Sequence, residues 1–110
     1  MRLDPKAIDL GPIAICADND ARLYQTRYVA NGAVALQIAS KTKGLVGSLT
    51  RNILGVSETL APGEVLLDPA SRFFNVATTT GMLTATGRAI EADGAVLPIW
   101  RLVPALAAAA

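Results

Sequence analysis

Apolar and polar residues alternate most regularly on the two sides of Asn31-Gly32. Residues 24–30 and 33–40 are rich in the β-branched and aromatic side chains that favour strands. An Asn-Gly pair between two such runs is the strongest short-range hairpin signal, because both central residues of a type I′ turn need positive φ. The pattern therefore predicts a β-hairpin over residues 24–40 with a two-residue turn.

This turn determines which residues pair and which share a face of the hairpin. It pairs Val29 with Val34 and Gln25 with Ile38, and directly paired residues share a face. One face, which we expect to be partly solvated, carries Tyr24, Thr26, Tyr28, Ala35, Gln37 and Ala39. The predicted core face carries Leu23, Val29, Val34, Leu36 and Ile38, with Gln25 and Arg27 among them.

Further strands are predicted on both sides of the hairpin. Residues 13–17 form an apolar run, and residues 45–53 alternate like the next strand of a meander. A short strand is expected at 64–68, and an extended segment with both phenylalanines at 72–77. Residues 95–103 regain strand character, and Pro98 would confine them to a sheet edge or a strand start.

Residues 80–93 have the pattern of a helix. The apolar positions at helical spacing are Met82, Leu83, Ala85, Ala89 and Ile90. Thr79 or Thr80 offers an N-cap, and Asp93-Gly94 offers a C-terminal stop. We therefore predict one helix that packs on the sheet.

These elements predict an α+β fold, an antiparallel β-meander of about four or five strands with one α-helix packed on one face. A length of 110 residues is typical of one domain, and we assign residues 1–103 to it. The alanine-rich residues 104–110 have no core pattern and are expected to be a tail, partly of vector origin.

The sequence has no histidine and a single cysteine, Cys16. Without histidine, the Ser-His-Asp and Cys-His schemes, histidine metal ligation and the usual general base are excluded. One cysteine allows no internal disulfide, and its apolar surroundings favour a structural role. No stretch approaches the roughly 20 apolar residues of a membrane helix. We predict a protein of the host-cell cytoplasm that is no enzyme and uses no cofactor, metal or membrane.

The acidic residues form two weak site patterns. Asp18 and Asp20 resemble the start of a calcium loop, but Arg22 occupies the third ligand position and no acid closes the loop. Glu58 and Glu64 flank a proline-glycine turn, and carboxylate catalysis would need one of them to be buried. We expect a capped turn at the first pattern and solvated loop charges at the second.

Basic residues are concentrated between Asp20 and Glu58, although the net charge is only +1. This interval has no acidic residue but contains Arg22, Arg27, Lys41, Lys43 and Arg51. The cluster fits an ordinary solvated sheet face. It also fits a basic patch for nucleic acid or for an acidic protein surface.

Aromatic residues accompany these cations. Tyr24 and Tyr28 share a predicted face with Arg22, an arrangement found in single-strand nucleic-acid platforms as well as in ordinary cross-strand packing or protein contacts. Trp and Arg are common interface anchors, although Trp100 could equally close the core. The predicted partner-binding residues are Arg22, Tyr24, Tyr28, Lys41, Lys43, Arg51, Trp100 and Arg101.

Three short motifs occur in sequence order: Tyr28-x-x-Asn31-Gly32, Ala35-Leu36-Gln37 and Leu49-Thr50-x-Asn52, followed by Phe73-Phe74 and the segment 81–94. Over residues 22–95 they resemble a small family of uncharacterised proteins from phages, plasmids and other mobile elements. The resemblance implies an α+β fold and a mobile-element origin, and it transfers no catalytic residues. At residues 75–80 this chain lacks the acidic stretch of that family.

Two functions follow as hypotheses. The leading one is a non-catalytic phage or plasmid accessory protein that binds and sterically inhibits a host defence component, such as a CRISPR effector. The alternative is a small nucleic-acid-binding accessory protein that uses Arg22, Tyr24, Tyr28, Lys41 and Lys43. A homodimer is also plausible, because exposed edge strands can pair.

Overall fold

The computed structural model describes residues 6–13, 20–92 and 94–102, and these form two antiparallel sheets with one short helix. The first sheet contains β1 (Ile8–Pro12), β2 (Arg22–Arg27), β3 (Val34–Ser40) and β4 (Gly44–Ser48). The second contains β5 (Glu64–Leu66), β6 (Leu83–Ala92) and β7 (Ala95–Leu102); α1 spans Phe74–Thr78, and a 3-10 turn spans Ser57–Thr59. The α+β prediction is therefore correct in its coarse form.

The predicted hairpin is present as β2 and β3, but its loop is longer than two residues. Gln25 pairs with Leu36 rather than Ile38, and the loop closes by bonds from Tyr28 N to Ala33 O and from Gly32 N to Tyr28 O, both 2.8 Å. Because the register differs by two residues, the division into faces is preserved. The exception is Val29, predicted in the core, which lies in the loop and is fully exposed.

The chain passes from the first sheet to the second at residues 49–51, which we call the crossing segment. The third meander strand was predicted to continue to residue 53, but β4 ends at Ser48. Leu49 N then donates to Leu36 O of β3 (2.9 Å), and Arg51 N donates to Leu66 O of β5 (3.0 Å). Thr50 forms a bridge with Leu67 between these two bonds.

The prediction of a helix at residues 80–93 is wrong, because residues 83–92 of this segment form β6. β6 pairs with β7 from Leu83 to Ala92, and Ala92 faces Ala95, so only two residues connect the strands. Thr84 and Thr86 are β-branched and favour a strand. Gly87, at φ +80°, provides the irregularity between Ala85 and Ala89.

Pro98 was expected at a sheet edge or a strand start, but it lies inside β7, the middle strand of the second sheet. Pro98 O accepts a hydrogen bond from Leu67 N at 3.0 Å. Pro98 itself has no N–H to return toward Leu67, and β5 ends one residue earlier, at Leu66. The proline is tolerated in a central strand because its missing donor lies where the neighbouring strand stops.

The segment 72–77 was predicted to be extended, and instead it contains α1. Phe73, just before the helix, is buried in the main core together with Leu23, Leu36 and Leu49. This core lies between the sheets and includes residues of both. A second apolar cluster, Leu66, Leu97 and Ile99, lies on the other face of the second sheet beneath Ile53 and Leu60.

The described part of the chain has no helix of the length and hydropathy needed to cross a membrane. Residues 14–17 of the predicted strand 13–17, including Cys16, fall outside the described residues. Asp18 and the tail 104–110 also fall outside them.

Candidate protein-binding surface

The outer surface of the first sheet carries a row of polar side chains. Tyr24 pairs with Asp9 of β1 and with Gln37 of β3, and Gln37 pairs with Ser48 of β4. Paired residues share a face, so the row runs across all four strands. Tyr24, Thr26 and Gln37 are half-buried, as expected for a partly solvated face. We call these three residues and their neighbours on this surface the tyrosine face.

One end of the tyrosine face opens into a depression of about 530 Å³ lined by Tyr24, Arg22 and Lys41 together with Asp9 and Asp20. Arg22 Nε donates to Asp9 Oδ2 at 2.7 Å. Asp20 Oδ2 accepts from the backbone N–H of Lys41 (3.1 Å) and from the Thr42 hydroxyl (3.2 Å). Two cationic and two anionic side chains therefore share this depression. The sequence pattern fitted either a solvated sheet face or a basic patch here, and the two acids did not enter it because Asp9 and Asp20 lie outside the acid-free interval.

Other residues of the predicted site have structural contacts. The Tyr28 hydroxyl lies 2.7 Å from Thr50 Oγ1 and donates to Thr50 O at 3.2 Å. Arg51 is half-buried in the crossing segment. Lys43 lies on the exposed turn between β3 and β4. Of the hairpin candidates, the structure therefore brings together Arg22, Tyr24 and Lys41.

Trp100 and Arg101 lie on the second sheet and do not line the depression. Trp100 packs against the main core and stands edge-on to Phe74, with 6.5 Å between ring centroids and 85° between the planes. Arg101 is the next residue of β7, so its side chain points to the opposite face. There it donates to Glu64 Oε2 at 3.1 Å.

Glu64 has the burial and ion pairs of a candidate site residue, although the sequence pattern indicated only a solvated loop charge. The expectation of a solvated loop charge is wrong, because the Glu64 side chain is only 1% exposed. Its carboxylate accepts hydrogen bonds from Arg88, Arg101 and the backbone N–H of Ala61. Burial raises the pKa of Glu64, but the Ala61 N–H and the two arginines outweigh it and hold the pKa below its usual value. The sequence signal was its position two residues before Leu66, on the same face of a short strand.

Asn31 connects the hairpin loop (residues 28–33) to the loop at residues 52–58. Its Nδ2 donates to Asn52 Oδ1 at 2.8 Å and to Glu58 Oε1 at 3.0 Å, and its Oδ1 accepts from Ala33 N at 3.2 Å. The backbone N–H of Glu58 is the main cause of a lowered Glu58 pKa, and Asn31 and the Gly55 N–H add to it against desolvation. Glu58 is exposed, as predicted.

These two loops also carry apolar side chains that point into solvent. Val29 is 103% and Leu54 65% exposed. Neither was predicted as a contact residue, and in the two-residue turn Val29 would have faced the core. Exposed aliphatic side chains on two linked loops extend the surface available for a partner.

Metal binding has no support in the geometry of the described residues, among which no group of three or more potential ligands occurs. Asp18, the first residue of the calcium-loop pattern, lies outside the described residues. Asp20 binds the turn at Lys41 and Thr42, so its carboxylate caps the turn between β3 and β4 rather than the local turn that was predicted at residues 18–20.

Comparison of the chain with protein-family models, curated proteins and solved structures finds no match in any of the three. The resemblance to a mobile-element family therefore stays a prediction.

Proposed function

We propose that this protein acts by binding a protein partner through the tyrosine face and its depression. The observation that supports this most directly is the row of Tyr24 and Gln37 beside a depression that holds Arg22 and Lys41. Tyrosine and arginine are over-represented among the residues that dominate binding energy at protein interfaces. A half-buried tyrosine on a sheet surface offers a large contact area at a small cost in side-chain entropy.

The charge distribution of this surface favours a protein over nucleic acid. Nucleic-acid affinity comes largely from cations that neutralise phosphates. Here the Arg22 guanidinium is bound to Asp9, and Lys41 shares the depression with Asp20. Mixed charges of this kind instead give specificity and orientation at a protein interface.

We further propose that the partner is a host defence component, such as a CRISPR effector, and that binding inhibits it sterically. This step rests on the motif resemblance to mobile-element proteins and on the absence of histidine from the sequence. A chain without the usual neutral-pH base is better suited to blocking a surface than to modifying a target.

The test combines a binding measurement with an infection assay. The protein should form a complex with a purified effector and restore plaque formation by a targeted phage. Arg22→Ala combined with Tyr24→Ala should reduce both effects at least about tenfold, as expected for loss of interface anchors. Glu91→Ala, at an exposed position on the second sheet, is the matched control and should change neither.

Two results would reject the proposal. One is the absence of any complex with the effectors tested together with unchanged interference. The other is salt-sensitive binding to nucleic acid that Lys41→Ala and Lys43→Ala weaken, which would establish the alternative function instead.

A further inference from the structure

A second concave site lies between the sheets, away from the tyrosine face. It is a cleft of about 460 Å³ between β2 and the hairpin loop on one side and residues 57–64 on the other. Its apolar lining includes Val34, Leu60 and Leu102, and Gln25 is one of its polar lining residues. Clefts of this size and mixed lining are typical of small-ligand sites.

Gln25 lies in β2 between Ile8 of β1 and Leu36 of β3. The residue is only 8% exposed, yet its Oε1 has no hydrogen-bond partner among the described residues. A buried amide without a partner carries an unrecovered desolvation cost, whereas a leucine at this position would carry none.

The charges around the cleft largely offset one another, because its lining residues Arg27 and Glu58 have opposite signs and Glu64 is ion-paired. Arg27 donates from Nη1 to Gly32 O at 2.9 Å. Glu58 is bound by Asn31 and Gly55. Glu64 is neutralised by Arg88 and Arg101. A ligand of this cleft therefore needs little net charge, but it needs a hydrogen-bond donor for Gln25.

We infer that the cleft binds a neutral ligand with a peptide-type amide group and a small apolar body. The ligand amide N–H donates to Gln25 Oε1, and the apolar body packs between Val34, Leu60 and Leu102. This site is independent of the proposed protein-binding function, because no residue of the tyrosine face lines the cleft.

The experiment uses two probes of the same shape. N-acetyl-L-leucine N-methylamide supplies two N–H donors, and the diester methyl (S)-2-acetoxy-4-methylpentanoate replaces each N–H with oxygen. Both are titrated into ¹⁵N-labelled full-length protein up to about 10 mM, a range that saturates a site of millimolar Kd. The amide should shift the Gln25 side-chain NH₂ signals and the backbone N–H signals of residues 31–34, 58–61 and 63. The diester should bind at least about tenfold more weakly, because a buried polar group left unpaired discriminates strongly.

Gln25→Leu is the test variant, and Gln37→Leu, the same change on the tyrosine face, is its control. Gln25→Leu should bind the amide no better than the diester, while Gln37→Leu should bind as the wild type does. Equal affinity of the wild-type protein for the two probes, or no saturable shift with the amide, would overturn the inference. Either result can be obtained on the wild type even if Gln25→Leu does not fold.

Discussion

Glu64 shows how three distant parts of the chain determine the state of one side chain. Its partners Arg88 and Arg101 lie 24 and 37 residues away in sequence, and each arginine side chain remains more than half exposed. The carboxylate is thus desolvated while its counter-charges stay in contact with water. Loss of either arginine would leave this buried carboxylate with less compensation, which is destabilising.

We expect Glu64→Gln to lower the free energy of unfolding at pH 7 by about 1–2 kcal/mol, because charge-assisted hydrogen bonds are lost. The arginines' solvent exposure keeps this figure modest. The folded pKa of Glu64 is lowered from its ordinary value by the Ala61 N–H and the two arginines, so its stabilisation is present above the unfolded pKa and is lost as pH falls through the folded pKa. Urea unfolding of the wild type and of Glu64→Gln from pH 7 to 3 should give free energies of unfolding that converge at low pH.

Glu91→Gln on the exposed face of β6 is the control for that titration and should leave stability almost unchanged at every pH. If the stability difference between the wild type and Glu64→Gln stays constant down to pH 3, the ion pairs do not cause it.

Gly47 and Phe73 show close packing between β4 and the residue before α1. A Cβ added at Gly47 would overlap the Phe73 ring, and Phe73 is buried in the main core. Gly47→Ala should therefore cost about 1–3 kcal/mol by overpacking, measured by thermal unfolding. Combining Phe73→Leu with Gly47→Ala should recover part of that loss, because the aromatic ring that the new Cβ would overlap is gone. The double variant should therefore lose less stability than the sum of the two single variants. Additive losses would contradict the steric explanation.

At the scale of elements, β6 is the most informative segment. Gly87 has φ +80°, and a Cβ at this position would meet no atom within 4 Å. Substitution therefore tests backbone conformation without a steric clash. Gly87→Ala should lower the free energy of unfolding by about 1–2 kcal/mol, and Gly87→Asn by less, since Asn tolerates positive φ. Equal losses for the two variants in urea unfolding would argue against backbone strain as the cause.

The same strand explains why the second half of the fold was mispredicted. Ala85 and Ala89 are small enough to fit an apolar helix stripe, but both are exposed in β6. Asp93-Gly94 is a hairpin dipeptide of the same kind as Asn31-Gly32, yet it also matches a helix stop. The local pattern alone does not distinguish a helix from a strand here. The pairing with β7 along most of its length makes the segment a strand.

The first sheet was more predictable because its strands alternate between aliphatic and polar residues. Arg22, Tyr24 and Lys41 were predicted to share a surface, and they line one depression. Gln25 was predicted on the core face but not as a site residue, and Glu64 was considered with Glu58 as a carboxylate pair and interpreted as a solvated loop charge. The burial of Glu64 depends on neighbours from other elements, which a single sequence does not reveal.

At the scale of the whole molecule, Asn31 holds together two loops that extend from different parts of the fold. Asn31→Asp keeps an acceptor for Ala33 N but places a second carboxylate beside Glu58. We expect lower stability at neutral pH, because a hydrogen bond from Asn31 to Glu58 is replaced by repulsion between two carboxylates. The deficit should shrink as pH falls and the two carboxylates become protonated. Wild-type Glu58, with its lowered pKa, also loses its own contribution as pH falls through that pKa.

Chemical denaturation at several pH values checks this prediction, with hydrogen exchange of residues 28–33 and 52–58 as a local measure. Adding Glu58→Gln to Asn31→Asp removes the repulsion and should restore much of the loss. If it restores nothing, the contact between the two loops contributes little to stability.

The crossing segment has a consequence for how the molecule denatures. Thr50 Oγ1 accepts from Leu36 N of the first sheet at 3.2 Å, and the same residue bridges to Leu67 beside the second. Neither sheet can come apart without breaking hydrogen bonds that this residue makes. The chain provides a natural reporter for each half, since Tyr24 lies in the first sheet and Trp100, its one tryptophan, in the second. Tyrosine and tryptophan signals should therefore follow a single cooperative transition, and two separate midpoints would mean that the sheets melt as independent units.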